Sequence, residues 1–206
     1  MYVKHKTGCK IIQPKSEHLK YWLFYYYRIK RQFNVCASEV SVGNCWIADF
    51  AVVKKNEIIE IEIKTSIADL KNDFKNKKSK FMLLESCLKG EEVNYNYIPN
   101  YFYYCVPEKI AIKAYEILKD TPYGLIIIPN HHYADHDFFY PRKGSERFNK
   151  SYPIELEKRI ITRMASEILG LRAKILKLKG EFEVESDKHL WYSLERMESF
   201  EHKGYA

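Results

Sequence analysis

Residues 49–64, DFAVVKKNEIIEIEIK, form the segment around which the rest of this chain is organised. Two runs of β-favouring residues flank the polar segment 54–57, a pattern that is typical of a β-hairpin. In the second run, Ile59, Ile61 and Ile63 point to one face of the predicted strand, because side chains alternate with a period of two. The residues between them carry charges and point to the other face.

The turn of this hairpin fixes which residues pair. If Val53 pairs with Ile58, the register places Asp49 directly opposite Glu62, and a two-residue turn at Lys55-Asn56 gives the same register. Directly opposed side chains have Cβ atoms roughly 4.5–5.5 Å apart, so the two carboxylates should repel each other. A divalent cation between them would remove that repulsion, and Mg²⁺ is typically held by one or two carboxylates plus a phosphate.

Lys64 lies one pleat further along the same face, where it can meet a phosphate or polarise a water beside a bound ion. An acid followed on the next strand by acid-x-Lys is the motif of a large class of nucleases. Charged and apolar residues also alternate on any half-exposed strand, so Glu62-Ile63-Lys64 alone is a weak signal.

The composition limits the partners of the chain. The net charge of +7 and the pI near 9.0 favour an anionic partner such as nucleic acid, although solubility also explains a mild excess of Lys and Arg. Five cysteines without a C-x-x-C motif predict neither a disulfide framework nor a zinc knuckle, and they fit reduced thiols in a cytoplasmic protein. The apolar runs are too short to cross a bilayer, so no membrane partner is expected.

The predicted elements alternate between helix and strand. An amphipathic helix of about five turns follows Ser16, with a stripe that extends to Phe33, and a strand is expected at 34–42 before a Gly43-Asn44 turn. Later strands are expected at 100–106 and 125–128, with a helix at 108–119 between them. The pattern predicts an α/β fold with a mixed sheet flanked by helices.

A lysine-rich helix is expected directly after the strand that carries Glu62. Thr65-Ser66 can cap it, and its apolar residues continue to Leu84. A helix in this position can contact a phosphate backbone, and the alternative is a solvated lysine face. The candidate nucleic-acid-binding residues are Lys71, Lys75, Lys77 and Lys78.

The C-terminal part predicts a helical extension. The segment His131–Asp137 contains three histidines and two aspartates, and it reads either as a polar loop or as a metal site. A basic, turn-rich linker is expected at 141–150, and a helical period then runs from Ile154 to Leu178. We therefore expect a core at residues 1–150 and an extension at 151–206 packed on it. The long helix could cover the sheet, bind nucleic acid or pair with a second copy in a homodimer.

The succession of motifs resembles a known family. IEIKTSIADLKNDFK, NYFYYCVPEKI and YGLIIIP, in this order, are similar to the MmcB-like DNA repair branch of the PD-(D/E)XK nuclease superfamily. Glu62 and Lys64 match its E-x-K, and Asp69, Asp73 and Lys75 match the helix that follows. The similarity covers about residues 33–128. The chain departs from the family at Trp46 and Ile47, where arginines are common, and at Ala48, where the superfamily has proline.

The resemblance implies a restriction-endonuclease-like core and a Mg²⁺- or Mn²⁺-dependent DNA endonuclease acting in DNA repair or nucleic-acid processing. Asp49 and Glu62 would hold the ion, with the carbonyl of Ile63 as a further ligand. Lys64 would position or deprotonate the attacking water and offset charge on the phosphate. Many members place another glutamate upstream, and Glu39 is the candidate here, although it also fits a solvent-facing strand residue. The alternative function is a non-catalytic nucleic-acid-binding module with the same fold.

Overall fold

A mixed six-stranded sheet forms the centre of the protein in a computed structural model, which describes residues 15–43, 45–129 and 140–178. The strands are β1 (Val35–Val42), β2 (Trp46–Lys54), β3 (Glu57–Ile63), β4 (Tyr101–Pro107), β5 (Gly124–Ile128) and β6 (Tyr140–Lys143). The α-helices are α1 (Ser16–Phe24), α2 (Ile67–Asn76), α3 (Lys78–Lys89), α4 (Ala111–Leu118) and α5 (Ile154–Leu178). The predicted mixed sheet with flanking helices is confirmed.

The strands lie in the sheet in the order of the chain. β1, β2 and β3 form an antiparallel meander, β3, β4 and β5 are parallel, and β6 returns antiparallel to β5. The two parallel connections contain helices, as parallel crossovers require. The helices α2 and α3 connect β3 to β4, and α4 connects β4 to β5.

The β2–β3 hairpin has the predicted register. Val53 pairs with Ile58, and the ladder continues to Phe50 opposite Ile61, so the next pair in the same register would be Asp49 and Glu62. The turn is the two-residue loop Lys55-Asn56, where Lys55 adopts a left-handed φ of 56°. The loop thus joins Lys54 and Glu57, and the alternation of β3 is preserved up to its end.

Helices cover both faces of the sheet. On one face, Leu19 and Leu23 of α1 pack with Phe50, Ile61 and Ile63. On the other face, α2, α3 and α4 pack on β4 and β5, and the beginning of α5 packs on β1 to β3. The second face carries the even-numbered side chains of β3, and these include the two glutamates discussed below.

The first helix changes its geometry after Phe24. Residues Tyr25–Lys30 form a π-helical turn, in which the N–H of Arg31 donates to the carbonyl of Tyr26 five residues earlier. The wider turn changes the phase of the apolar stripe. Tyr27 is therefore buried in the core, whereas Ile29, which the α-helical period predicts to be buried, is 62% exposed.

The lysine-rich segment forms two helices instead of the single helix predicted. α2 begins as expected, because the Ser66 side chain accepts a hydrogen bond from the N–H of Asp69. The break occurs at Lys77, whose φ of −101° and ψ of 36° are not helical. α3 then extends to Lys89 and ends at Gly90, which has the left-handed conformation that helix ends favour.

The expected linker at 141–150 begins as a strand. Residues 140–143 form β6 at the edge of the sheet, a position where a proline is tolerated. The segment after it is fixed by two fully buried asparagines. Asn100 accepts from the N–H of Ile58 and donates to the carbonyls of Asn149 and Ser151, while Asn149 donates to the carbonyl of Ile98.

The chain divides into two compact units after Ala165. The first unit contains the whole sheet and the first turns of α5, in which Leu156 and Ile160 are buried against the sheet. In the described part of the second unit, Ile168, Leu171 and Ile175 are about half exposed. No helix in the described ranges is both long and apolar enough to cross a membrane.

Candidate metal and phosphate site

Asp49 interrupts the ladder between β2 and β3. Its Oδ2 accepts a hydrogen bond of 2.7 Å from the N–H of Ile63, so a carboxylate takes the place of a backbone acceptor where the hairpin ends. The N–H and C=O groups of a strand residue point to the same neighbouring strand, so the carbonyl of Ile63 also lies on the β2 side. Among the described residues no donor reaches Oδ1 of Asp49, which leaves this oxygen open to another ligand.

Glu62 is buried and contacts three lysines. Its Oε1 accepts from Lys64, at 3.1 Å, and from Lys77, and its Oε2 accepts from Lys80 at 3.1 Å. The residue is only 2% exposed, so these ammonium groups replace its hydration. The resulting cluster, which we call the acid–lysine cluster, contains four carboxylates and three lysines: Asp49, Glu60, Glu62, Asp73, Lys64, Lys77 and Lys80.

Lys80 connects the two glutamates of β3. Its Nζ lies 2.6 Å from Oε1 of Glu60 and also bonds Glu62, and the side chain is 2% exposed. The ammonium group lies 4.3 Å from the ring centroid of Phe102 and 5.3 Å from that of Trp46. These contacts fix Lys80, and through it they fix the position of Glu62.

Lys64 and Lys77 are shared with α2. Lys64 Nζ lies 2.9 Å from Oδ1 of Asp73, and Lys77 Nζ lies 3.5 Å from the same oxygen. The side chain of Lys77 is 32% exposed, in contrast to the buried Lys64 and Lys80. The helix break at Lys77 therefore places a partly solvated lysine against the buried carboxylate of Glu62.

The electrostatics separate the two facing acids. Burial and the charge of Glu62 raise the pKa of Asp49 to about 6, against the opposing effect of the Ile63 N–H. Burial also acts to raise the pKa of Glu62, but Lys80, Lys64 and Lys77 outweigh it and bring that pKa to about 2. Glu62 is thus charged at neutral pH, whereas Asp49 retains a proton into the weakly acidic range.

Lys64 is a cation in this environment. Burial lowers its pKa, but the charges of Glu62 and Asp73 and their hydrogen bonds outweigh burial, so the pKa lies above its usual value. A lysine with a raised pKa does not accept a proton at neutral pH. Of the two roles expected for Lys64, this environment favours charge compensation over deprotonation of a water.

Three buried polar atoms of this region have no hydrogen-bond partner among the described residues: Oε2 of Glu60, Oδ2 of Asp73 and the hydroxyl of Tyr104. Tyr104 pairs with Glu62 across β3 and β4, and burial followed by the charge of Asp73 raises its pKa. Buried polar atoms are normally paired, and unpaired ones tend to mark sites for water, ions or ligands.

Glu39 does not join Asp49 and Glu62. It has a left-handed φ of 53° within β1, and the ladder with β2 omits the pair that it would form with Asp49. Its carboxylate instead bonds Lys20 of α1 at 2.7 Å and Arg163 of α5 at 3.4 Å. Across the described ranges, no three His, Cys, Asp or Glu side chains are grouped to hold a metal. An ion at Asp49 and Glu62 would thus complete its coordination with the backbone and with water or phosphate.

The candidate phosphate-binding lysines fall into two groups. Lys71, Lys75 and Lys78 are exposed on α2 and α3, where they are free to meet a phosphate backbone. Lys77 belongs to the acid–lysine cluster and bonds Glu62. The segment His131–Asp137 lies outside the described residues.

Sequence reasoning missed Glu60 and Lys80. Glu60 shares its face of β3 with Glu62, and Lys80 follows Lys77 by three residues, so both positions could have been found by spacing. The pattern gave no reason to expect that a lysine among several exposed lysines is fully buried. Its burial depends on two glutamates that are themselves 0% and 2% exposed.

No protein-family model matches the chain, and no curated protein matches it significantly. Among solved structures, the SPO1766 protein of unknown function from Silicibacter pomeroyi is similar to this chain, with a TM-score of 0.47 and 16% sequence identity. The similarity covers 77% of this chain and 89% of that protein.

Proposed function

We propose that this chain is a nuclease that hydrolyses DNA phosphodiester bonds with a bound Mg²⁺ or Mn²⁺ ion, on a restriction-endonuclease-like sheet. The observation that carries the proposal is the arrangement of Asp49, Glu62 and Lys64 where the β2–β3 ladder ends. A cytoplasmic protein of DNA repair or nucleic-acid processing is the setting that agrees with its free cysteines and basic charge.

The donor set fits a hard divalent cation. Asp49 offers an open oxygen, Glu62 is charged, and the carbonyl of Ile63 lies on the same side, so all ligands are oxygens as Mg²⁺ and Mn²⁺ prefer. The acid–lysine cluster has one more carboxylate than lysines, and burial together with the charge of Glu62 raises the pKa of Asp49. A cation would compete with the proton of Asp49, since carboxylate ligands bind metal in the deprotonated form.

The residues have separate roles in this proposal. Asp49, Glu62 and the carbonyl of Ile63 would hold the ion, which would polarise the scissile phosphate and lower the pKa of a bound water. Lys64, as a cation, would offset charge that develops on the phosphate. Lys80 fixes the position of Glu62 through a hydrogen bond to its Oε2. The exposed residues Lys71, Lys75 and Lys78 would contact neighbouring phosphates.

Lys77 must move for the ion to reach Glu62. Its ammonium group bonds the same oxygen of Glu62 that Lys64 bonds, so it occupies part of the space next to Asp49 and Glu62. The side chain is 32% exposed and begins at a helix break, so it has room to turn towards solvent, and the bound ion would replace the positive charge that Lys77 brings to Glu62. There it would join the lysines that contact phosphate.

A cleavage panel tests the proposal. Purified protein is incubated with linear, nicked and branched DNA in the presence of Mg²⁺, Mn²⁺ or EDTA. We expect metal-dependent cleavage that falls at least about 100-fold in Asp49→Asn, Glu62→Gln and Lys64→Met, since each removes a ligand or a compensating charge. Glu146→Gln, at an exposed acid without an ion pair among the described residues, is the matched control and should cut normally. Equal cleavage by all variants would refute the assignment.

One observation favours the alternative of a non-catalytic nucleic-acid-binding module. Both oxygens of Glu62 already have lysine partners, so the acid–lysine cluster can be stable without an ion. In that case the exposed lysines alone would bind DNA, and binding would be independent of Glu62 and of divalent metal. DNA binding that is unchanged by Mn²⁺, together with the absence of cleavage in the panel, would select this function.

A further inference from the structure

A cavity of about 360 Å³ lies beside the acid–lysine cluster, within the first unit. It opens between the β1–β2 turn, α3 and the segment before β4, and its volume is in the range of pockets that take small organic groups. The residues that matter for its chemistry are Cys45, Trp46, Asn94, Tyr97 and Arg159. Two aromatic rings and a few polar groups therefore line one concave site.

Arg159 is fixed at the wall of this cavity. Its Nη1 donates to the carbonyl of Gly43 at 2.8 Å and to the hydroxyl of Ser41 at 3.1 Å, and its guanidinium lies 5.1 Å from the ring centroid of Tyr97. Within the described part of the chain, its Nε and Nη2 groups donate to no acceptor. The planar guanidinium of Arg159 thus lies next to the ring of Tyr97 and keeps N–H groups for a ligand.

This combination is the one that recognises an unstacked nucleobase. Single-stranded nucleic acids are bound by stacking of bases on aromatic rings or guanidinium planes, with hydrogen bonds to the base edges. Tyr97 and Trp46 provide rings, and the edge-reading groups are Arg159 and the side-chain N–H groups of the exposed Asn94, whose Oδ1 already accepts from the N–H of Asn96. The net charge of +7 favours the attached phosphate chain over an uncharged ligand.

Trp46 joins the cavity to the acid–lysine cluster. Its Nε1 donates to Oε1 of Glu60 at 2.9 Å, and its ring contacts Lys80 at 5.3 Å from the centroid. Asp49 follows Trp46 by three positions in β2, a distance of about 10 Å along a strand. One strand of nucleic acid can therefore reach both places.

We infer that the cavity binds one unpaired base of the nucleic acid whose backbone meets the acid–lysine cluster. The inference rests on the proposed function and assigns its substrate class: a strand that is single-stranded, or opened, at the position next to the cleavage site. The base stacks against Tyr97 and Trp46 and bonds Arg159. Duplex DNA without an opened base does not fill this cavity.

The test uses Cys45, an exposed thiol that lines the cavity. The full chain is alkylated with iodoacetamide in EDTA, and the rate at Cys45 is followed by peptide mass spectrometry. The probes are a short single-stranded oligodeoxynucleotide and an abasic strand of the same length and charge. We expect the base-bearing strand to slow alkylation of Cys45 at least about fivefold, and the abasic strand to leave the rate unchanged. Equal effects of the two strands, or no effect of either, overturn the inference.

A pair of matched variants provides the second arm. Tyr97→Leu should weaken binding of the base-bearing strand by about 5- to 150-fold, the range for loss of one base–aromatic stack, and should abolish protection of Cys45. Tyr21→Leu, at a tyrosine on α1 that is 61% exposed, should bind as the unmodified protein does. Because Tyr97 is only half-buried, its variant is expected to fold, and thermal melting verifies this. Normal binding by Tyr97→Leu contradicts the inference.

The outcomes separate this inference from the proposed catalysis. If the base-bearing strand protects Cys45 but no metal-dependent cleavage is found, base binding in the cavity is supported and the proposed nuclease activity is refuted. If the protein cleaves DNA but the base-bearing and abasic strands have the same effect on the alkylation rate of Cys45, the nuclease activity is supported and base binding in the cavity is refuted. Protection by apolar small molecules but not by the base-bearing strand also refutes it.

Discussion

Asp49 accepts a 2.7 Å hydrogen bond from the backbone N–H of Ile63, just beyond Phe50 and Ile61, the last regular pair of the β2–β3 ladder. This bond uses one oxygen of the carboxylate. The carbonyl of Ile63 also faces β2, because the N–H and C=O groups of a strand residue point to the same neighbouring strand. The hydrogen bond thereby holds the Asp49 carboxylate close to Glu62, although the two negative charges repel each other. Asp49 and Glu62 therefore lie close enough that one cation bound between them would neutralise their repulsion.

The pH dependence of stability should report on Asp49. Its pKa is raised from an unfolded value of 3.8 to about 6 in the folded protein, so the folded state binds the proton more tightly. The stability gained from this proton is present below about pH 4 and is lost as the pH rises through 6. Relative to the unmodified protein, Asp49→Asn should therefore gain up to about 3 kcal/mol between pH 4 and pH 7. Denaturant unfolding in EDTA measures this difference.

The same comparison has a clear contradicting result. Asparagine keeps an oxygen for the Ile63 N–H but carries no titratable proton. Stability–pH curves of the two proteins that run parallel from pH 4 to pH 7 would show that Asp49 has an ordinary pKa. Glu146→Gln, at an exposed acid, controls for the general effect of removing a negative charge.

The Glu60–Lys80 ion pair should be strongly coupled. Lys80→Met leaves a buried glutamate without its partner and should cost about 3–5 kcal/mol of unfolding free energy, and Glu60→Gln should also destabilise. The double variant should be more stable than the sum of the single effects predicts, by about 1–3 kcal/mol. Urea unfolding of the four proteins completes the cycle. Additive effects would mean that the 2.6 Å contact contributes nothing specific.

The buried amide of Asn100 should be essential for anchoring the segment after β6. Asn100→Leu keeps the volume but removes the partners of the Ile58 N–H and of the carbonyls of Asn149 and Ser151. We expect a loss of about 3 kcal/mol, since each unpaired buried group costs about 1–3 kcal/mol. Asn72→Leu, on the exposed side of α2, is the control. Similar chemical-denaturation midpoints for the two variants would contradict this role.

Gly124 should resist replacement because of its cross-strand neighbour. A Cβ at this position would lie 2.3 Å from two ring carbons of Tyr103, the residue that pairs with Gly124 across β4 and β5. Gly124→Ala should therefore cost about 2 kcal/mol through overpacking, and Tyr103→Leu in the same chain should recover part of it. At Gly144 nothing lies within 4 Å of an added Cβ, so Gly144→Ala should be neutral. Thermal melts distinguish these results.

Local patterns were sufficient to predict the hairpin and its register. The alternation of Ile59, Ile61 and Ile63 fixes which face of β3 is apolar, and the polar interruption fixes the turn, so Asp49, Glu62 and Lys64 could be assigned to one place. The positions of the later strands followed from short apolar runs between turn residues. These features depend on neighbours in sequence, which is why they are visible there.

The rest depends on tertiary contacts that leave no local signal. The helix break at Lys77 has no glycine or proline to mark it, and the interactions of Lys77 with Glu62 and Asp73 exist only in the folded chain. The π-turn at Tyr25–Lys30 and the diversion of Glu39 to Lys20 likewise require the packing of α1 on the sheet. Propensity cannot report such contacts, because tertiary context overrides it.

Calorimetric titration with Mn²⁺ is the sharpest test of whether Asp49 and Glu62 hold a divalent cation. We expect one binding event in the unmodified protein and in Glu146→Gln, with proton release at pH 6 because the metal displaces the proton of Asp49. We expect Asp49→Asn and Glu62→Gln, verified as folded by circular dichroism, to lose this event. Mn²⁺ binding of equal affinity in all four proteins, or in none of them, would show that Asp49 and Glu62 do not form a cation site.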